Sequence, residues 1–481
     1  MKFLIFKNKI KKFFLPQDKE VSKKIFFLAL PVIFSNLSRV LMSLFDLAMV
    51  GGLGPEAIAA TGMGGMVFYG LISVVFGIKT AVQSISSRRL GQNKKKESGR
   101  SLYNGLLMAT VYGLPLSYLC WVFSPKIVSF YINHPTSTPL AIQYIEVLFA
   151  GFLFSAYSIV FQGFFTGIEK TKVHLVVTLL SNLLNIYLNA ALIYGSVGII
   201  AFFEDKAPGL AFLASLWDWT TFPKLGVKGA AIGTVISSAF MFTQYLAYLL
   251  ISNTRKKFYM FPAKIDFFML KRQIKLALPM GVQEFLIAVG WAMYFKVFSL
   301  IGIIELATIN IIFSIMHASF MPAIGVGQAC ATYVGKFLGE KRPNKAERSI
   351  WESIRIAEYI MGTMGLLFML FPYFFLSFFT QDAQVLEMAV PGLRILGVLQ
   401  FIDAVGLPLW FSLTAAGNTL FPAVTEVLII WLWSIPLSYF LGVYMGYGFF
   451  GSLFPLVVHY LLFALTLGWK IKRGTWKEIE I

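Results

Sequence analysis

Three carboxylates stand inside long apolar stretches of the chain: Asp46, Glu284 and Asp403. A charge at the centre of a bilayer costs roughly 2.5 to 3.5 kcal/mol on insertion scales, so one that is kept there usually faces a cavity and has a partner or a task. The chemistry open to it is cation exchange. Low dielectric favours the protonated form of a carboxyl group, and the ionised form attracts a sodium ion or an organic cation. Asn185 and Asn189 are one helical turn apart and share a face, and with Thr234 they offer the neutral oxygens that sodium accepts. Each has a structural alternative. Arg39 lies two turns before Asp46 and Lys79 lies in the next apolar segment, so a buried ion pair would account for Asp46; Lys296 is such a partner for Glu284, and buried amides are good glue between helices. Glu146, Glu358 and Glu426 lie nearer the ends of their segments, where snorkelling or solvation explains them.

The elements that must hold these groups are membrane spans. With 57% hydrophobic residues, 13% charged and a mean hydropathy of +0.73, the chain repeats runs of about 20 apolar residues that a soluble core does not hide. Twelve spans are predicted, near 25–50, 60–86, 101–125, 139–165, 172–195, 226–252, 274–300, 305–334, 352–380, 388–414, 420–443 and 449–469. The net charge of +18 would suggest nucleic acid in a soluble protein, but its distribution reads as topology. Alternate loops and both tails carry 33 Lys or Arg, against Lys126, Lys206 and Lys224 on the other side. By the positive-inside rule both termini are cytoplasmic, and no nucleic-acid partner is expected. The expected setting, separately from that rule, is a bacterial inner membrane. The basic start, Met1 to Lys12, lacks the apolar core and cleavage site of a secretory signal; Phe3, Phe6, Ile10 and Phe13 fall on one helical face, so it reads either as an orienting tail or as an interfacial helix.

The chain also repeats itself. Leu28-Ala29-Leu30-Pro31 recurs as Leu276-Ala277-Leu278-Pro279, Leu90-Gly91 with Arg100-Ser101 as Leu338-Gly339 with Arg348-Ser349, and Thr166 with Thr171 as Thr414 with Thr419, all at an offset of 248. Two copies of one unit in an apolar chain are the mark of a transporter with its site between the repeats. An even number of spans per repeat makes the copies parallel, related by a twofold axis along the membrane normal. Farther on, the offset becomes 249, which aligns Asn185 to Asn189 with Ser434 to Ser438, and then 222, which aligns Gly226-Val227-Lys228-Gly229 with Gly448-Phe449-Phe450-Gly451. The first half therefore carries 27 extra residues within about 195–225, including Phe202, Phe203, Trp217 and Trp219, as an interfacial anchor or an outer lid. The expected order is a basic tail (1–24), a first six-helix lobe (25–253), a linker (254–273), a second lobe (274–469) and a short tail (470–481).

These marks resemble the multidrug and toxic compound extrusion (MATE) family from about Leu28 to Trp476. The resemblance is carried by Ala29-Leu30-Pro31 leading to Phe45-Asp46 and Val50-Gly51-Gly52-Leu53-Gly54-Pro55-Glu56-Ala57, by Phe165-Thr166-Gly167-Ile168-Glu169-Lys170-Thr171, by Asn185 to Asn189, by Gly226 to Thr234, and by Arg473-Gly474-Thr475-Trp476. It implies a two-lobed, twelve-helix antiporter that expels organic cations in exchange for protons or sodium ions. It makes Asp46 the coupling-ion residue of the first lobe, with Asn185, Asn189 and Thr234 as its polar partners and a sodium site at Asp46, Asn185 and Asn189 as one form of it. In the second lobe Asp403 matches the family's acidic position in span ten. The chain departs from the pattern in span seven, where the usual glutamate position, eight residues after the proline, is Ile287, and Glu284 stands about 4.5 Å away along the helix axis.

No HExxH, phosphate-binding lysine loop or G-x-G-x-x-G is present, and Cys120 and Cys330 lie within spans without metal spacing. The expectation is therefore a transporter and not an enzyme, without a cofactor beyond its coupling ion, acting as a monomer in the lipid bilayer on a small, cationic, amphipathic substrate. Two other readings stay open: a related flippase for lipid-linked sugars, kept alive by Arg39, Lys79, Lys296 and Arg394, and a membrane-embedded enzyme. Pro31, Pro279, Pro408 and Pro436 read as kinks, and Gly62, Gly64 and Gly65 as sites of close helix approach.

Overall fold

The computed structural model describes residues 16–131, 134–206, 208–261 and 264–481. The amphipathic stretch through Phe3, Phe6, Ile10 and Phe13 lies outside them. The described residues are mostly helical, and no strand occurs among them. Among the described residues eleven helices are long and apolar enough to cross a membrane, and a bent pair, taken as one span, makes a twelfth. Spans one to six are Lys19–Gly51, Pro55–Gly91, Lys95–Val122, the pair Ser137–Ala150 and Phe152–Gly167, Thr171–Phe202, and Val227–Ile251. Spans seven to twelve are Phe267–Ile301, Ile303–Gly339, Pro343–Leu370, Ala383–Ala415, Leu420–Tyr444 and Gly448–Lys472. They form two six-helix lobes.

Polar caps start spans one and seven ahead of their apolar windows. Asp18 accepts from the Val21 N–H and Asp266 from the Met269 N–H, which places polar first turns outside the apolar run. Span four is not one continuous helix, as its apolar pattern predicts. It bends by 50° at Gly151, where a Cβ would lie 2.5 Å from the Val235 side chain of span six. In span five the helix turns sharply at Gly195 (φ 73°), and the extra residues continue as a helix to Lys206 and a 3-10 stretch, Pro208–Trp217. That segment folds back onto span five: Trp217 Nε1 donates to the Tyr187 carbonyl at 3.1 Å and Trp219 Nε1 to the Tyr187 hydroxyl at 2.7 Å.

The two lobes meet through contacts that exchange under the 248-residue offset. Span two packs on span seven and span one on span eight. At Gly77 a Cβ would touch the backbone of Ala277 and Gly281; at Gly325, its equivalent, a Cβ would lie 3.0 Å from the Ile33 nitrogen. Such pairs let backbones approach closely and gain dispersion contacts over the whole seam.

At the end that carries the basic loops, the seam is also polar. The ion pairs Arg348–Asp18 at 3.6 Å and Arg100–Asp266 at 3.0 Å are equivalents of each other, and each joins the start of one lobe to the other lobe. Beside them Glu352 accepts from the Gln17 and Asp18 N–H groups at 2.9 and 3.1 Å. Its equivalent, Asn104, accepts from the Asp266 N–H at 3.2 Å and donates to the Asp266 carbonyl at 3.1 Å. Deeper in, Gln83 donates to the Gln328 carbonyl at 2.8 Å and to Thr332 at 3.1 Å, and Arg88 donates to the carbonyls of Ala416 and Ile479. The basic end of the cleft between the lobes is shut by these bonds.

Candidate functional site

Toward the other end of the first lobe, spans one, five and six bring Asp46 together with the amides. Asn189 is buried, and its Nδ2 donates to Asp46 Oδ1 at 2.7 Å and to Asn185 Oδ1 at 2.8 Å. Asn185 Nδ2 lies 3.5 Å from Thr234 Oγ1, whose own hydroxyl donates to the Ala230 carbonyl at 2.9 Å. Two glycines of span six make this approach possible. A Cβ at Gly229 would meet the Leu192 backbone, and one at Gly233 would collide with Asn189 Oδ1 and lie 3.3 Å from its Cγ. Span one is tied to the same wall by the Tyr194 hydroxyl, which donates to the Met49 carbonyl.

Asp46 forms no ion pair among the described residues, and Arg39 instead donates to Asn36 Oδ1 at 2.6 Å. The Arg39–Asp46 pair that sequence spacing allows is not formed. One carboxylate, two amide oxygens and a hydroxyl fit a monovalent hard cation or a proton. No group of three His, Cys, Asp or Glu that could hold a metal ion occurs among the described residues. Asn189 Oδ1 is buried with no hydrogen-bond partner, so the amide has one oxygen free to turn toward a cation.

The equivalent place in the second lobe holds no acid. Tyr294 stands where Asp46 does and donates to the Ser452 carbonyl at 2.9 Å, while Ser434 and Ser438 replace the two asparagines. The alignment behind this is physical: Gly451, like its equivalent Gly229, packs against backbone of the preceding span, at the Leu441 carbonyl.

The second lobe places its acids elsewhere. Asp403 is buried, and its Oδ2 has no hydrogen-bond partner. Glu284 makes no ion pair with Lys296, which is exposed. Glu426, which its position near a helix end suggests is solvated, instead accepts from Gln283 Nε2 of span seven. The signal for it was present in the chain, because Glu426 is the one charged residue between Leu420 and Tyr444.

The MatE family model matches residues 31–191 and again 279–440, so it finds both copies, each starting at its own proline. The chain belongs to the MATE family. This MATE transporter is similar to a probable multidrug resistance protein NorM of Thermotoga maritima, 24% identical over 472 residues that cover 97% of this chain and 95% of that protein. A probable NorM of Pasteurella multocida is 25% identical over 428 residues, covering 88% and 87%. Among solved structures, the fold matches the outward-facing conformation of a multidrug resistance MATE family transporter of the MOP superfamily, with a TM-score of 0.84 at 21% identity over 96% of this chain and 97% of that one. It also matches a MOP superfamily transporter from Pyrococcus furiosus, described by the reverse polarity of its binding pocket, with a TM-score of 0.82 at 21% identity over 95% and 97%. The protein is thus a multi-pass membrane transporter of the MATE fold, not an enzyme.

Proposed function

We propose that this MATE transporter exports small amphipathic molecules from the cytoplasm across a bacterial inner membrane, and that each cycle is driven by a proton taken up at Asp46. The reading rests on the bond from Asn189 to Asp46. It joins span one to span five in the first lobe and has no acidic counterpart in the second. Opening the cleft toward one side or the other requires the lobes and their spans to shift, and a carboxyl bonded across two spans links its own charge to that shift. A proton enters on the free carboxyl oxygen without moving Asn189. A sodium ion must first displace the Asn189 Nδ2 group, which points a donor at the position the ion would take.

The names of the NorM relatives support drug export, and the basic end is assigned to the cytoplasm by the positive-inside rule. The acids Asp403, Glu284 and Glu426 of the second lobe are assigned to the amine of the substrate. The test is transport by reconstituted protein in vesicles with pH and sodium gradients imposed separately. A pH gradient alone should drive export, and Asp46→Asn should abolish it while leaving the protein folded. Transport driven by sodium alone, and lost in Asp46→Asn, would assign the same site to sodium. Full gradient-driven transport by Asp46→Asn would move coupling to the second lobe.

A further inference from the structure

We propose that residues 475–481 are a strap across the closed basic end, anchored in the second lobe and gripping the first, which detaches each time the transporter opens at that end. The proposal rests on the alternating opening proposed above and is independent of the coupling ion. Span twelve ends at Lys472, and the left-handed turn at Gly474 (φ 75°) reverses the chain. Trp476 is fully buried in the apolar cluster built mainly by the second lobe, and its Nε1 donates back to the Ile471 carbonyl of span twelve at 3.0 Å. Lys477 pairs with Glu347 of span nine at 2.5 Å. This part of the segment belongs to the second lobe.

Farther on, the chain crosses the seam. The Ile479 carbonyl accepts from Arg88 Nη2 of span two at 2.7 Å, and the Ile479 side chain packs against the clusters of both lobes. Ile481 is 8% exposed and joins the cluster built mainly by the first lobe. Backbone at Ile479 is extended (φ −70°, ψ 125°), which turns successive side chains to opposite sides: Glu478 and Glu480 are exposed, while Ile479 and Ile481 face the protein. The two isoleucines fill a specific place, because a Cβ at Gly417, in the turn after span ten, would collide with Ile481 and lie 3.1 Å from Ile479 Cγ2.

The repeat shows what the strap replaces. Under the 248-residue offset Arg88 is the equivalent of Lys336, and Gly417 of Glu169. Lys336 and Glu169 form an ion pair between the lobes at 2.6 Å, so one half of the seam is joined by side chains alone. In the other half the acid is missing. Arg88 stands opposite a glycine, and its guanidinium donates to the Ala416 carbonyl at 3.2 Å and to the strap. Both turns are left-handed, with Glu169 at φ 63° and Gly417 at φ 95°, so the turn itself accepts a glutamate; what the glycine adds is room for the isoleucines. A partly exposed ion pair gains little from closure, since water solvates both charges when the lobes part, whereas withdrawing Ile481 exposes a buried apolar side chain. The strap therefore favours the closed end more than the ion pair it stands in for.

The test is pulsed dipolar spectroscopy on the purified full-length protein in nanodiscs, without gradients, with spin labels at Lys94 and Arg342, which are exposed and equivalent in the two lobes. The double variant Ile479→Ser with Ile481→Ser should raise the population with the longer distance at least about tenfold, or about 1.4 kcal/mol. Its melting temperature should fall by only a few degrees, because Trp476 and the Lys477–Glu347 pair are untouched. Ile481→Ser alone should act in the same direction and decides the matter if the double variant fails to fold. The converse is read from a single label at the exposed Glu480. Gly91→Ala parts the lobes at a different contact, where its Cβ would collide with the Lys336 carbonyl, and should make that label mobile. Linkage demands this reciprocity of a strap, and a segment that only stabilised the second lobe would not show it. Gly417→Glu should also free the label at Glu480 while keeping the Lys94 to Arg342 distance short, since the new side chain takes the place of Ile481 and pairs with Arg88. An unchanged distance in both isoleucine variants, or a label at Glu480 that stays immobile in Gly91→Ala with the lobes parted or in Gly417→Glu, overturns the proposal. Opening in Gly91→Ala without opening in the isoleucine variants confines the failure to the strap; an end that stays closed in all three overturns the strap and the alternating opening together.

Discussion

Replacing Gly91 with alanine should open the basic end of the cleft. A Cβ at Gly91 would collide with the Lys336 carbonyl oxygen and lie 2.8 Å from its carbon; at the equivalent Gly339, a Cβ would collide with the Arg88 carbonyl and lie 3.1 Å from its carbon. The obstructing atoms are backbone, so no rotamer relieves them and spans two and eight must separate. Overpacking of this kind costs about 1 to 3 kcal/mol. The cost falls on the closed arrangement alone, because separated lobes leave room for the methyl group. One substitution therefore shifts the equilibrium toward the basic-end-open state by about 5- to 150-fold, and both together by more, since the contacts lie side by side. Spin labels at Lys94 and Arg342, exposed equivalents at the starts of spans three and nine, report the separation by pulsed dipolar spectroscopy. The wild-type protein should give mainly the short distance and Gly91→Ala a new, longer population. An unchanged distance distribution in both single variants and in the double variant, with folding intact, would refute the reasoning.

Gly233→Ala should push Asn189 away from Asp46, since its methyl group would occupy the place of Asn189 Oδ1; gradient-driven transport should fall at least about tenfold while the melting temperature changes by only a few degrees, measured in vesicles and by thermal unfolding. Glu352→Ala removes the acceptor of two N–H groups before span one, so exchange protection of the Gln17 and Asp18 amides should drop by about one to two orders of magnitude in hydrogen–deuterium exchange. The Asp266 carboxyl is held below its ordinary value of 3.8, first by the Met269 N–H and then by the Arg100 side chain, with burial opposing. A depressed value stabilises the closed basic end fully above about pH 4 and loses that contribution as pH falls through the native value. The Lys94–Arg342 distance should therefore broaden as acidification carries the pH through the native value, and Asp266→Asn should lose the part of that response which is due to this group.

The repeat was the most legible part of the chain, because two copies that pack face to face must keep their contact residues at a fixed spacing. Pro31 and Pro279, Gly91 and Gly339, and Arg100 and Arg348 retain it, and each pair reappears in the seam or beside it. The neighbours of Asp46 were legible for a related reason: two asparagines four residues apart in an apolar helix need a polar surface to face. What stayed hidden depends on contacts between segments. The bend at Gly151 lies against Val235 of another span, and the apolar pattern runs through it unchanged. Glu426 looks solvated until Gln283 is placed beside it. The asymmetry of the acids appears once Asp46 and Asp403 are mapped onto their equivalents, Tyr294 and Ser155.

Between Thr419 and Ser434 the second copy gains one residue over the first, and in that interval the helix widens into a π turn, Ile429–Ser434. A single extra residue in an α-helix rotates everything after it by about 100°, which would turn Ser434 and Ser438 away from span twelve. The π turn takes up that residue as a bulge. Downstream faces keep their heading, and the hydroxyl of Ser438 still reaches the Ser452 carbonyl at 2.8 Å. The duplicated halves have thus diverged in mechanics as well as in chemistry. Span five carries its sharp break at Gly195, beyond the asparagines, whereas span eleven has wide turns on both sides of Ser438, at Ile429–Ser434 and Tyr439–Tyr444. One hinge pivots, whereas paired bulges also take up changes of register along the axis, and they lie in the half that has Tyr294 in place of Asp46.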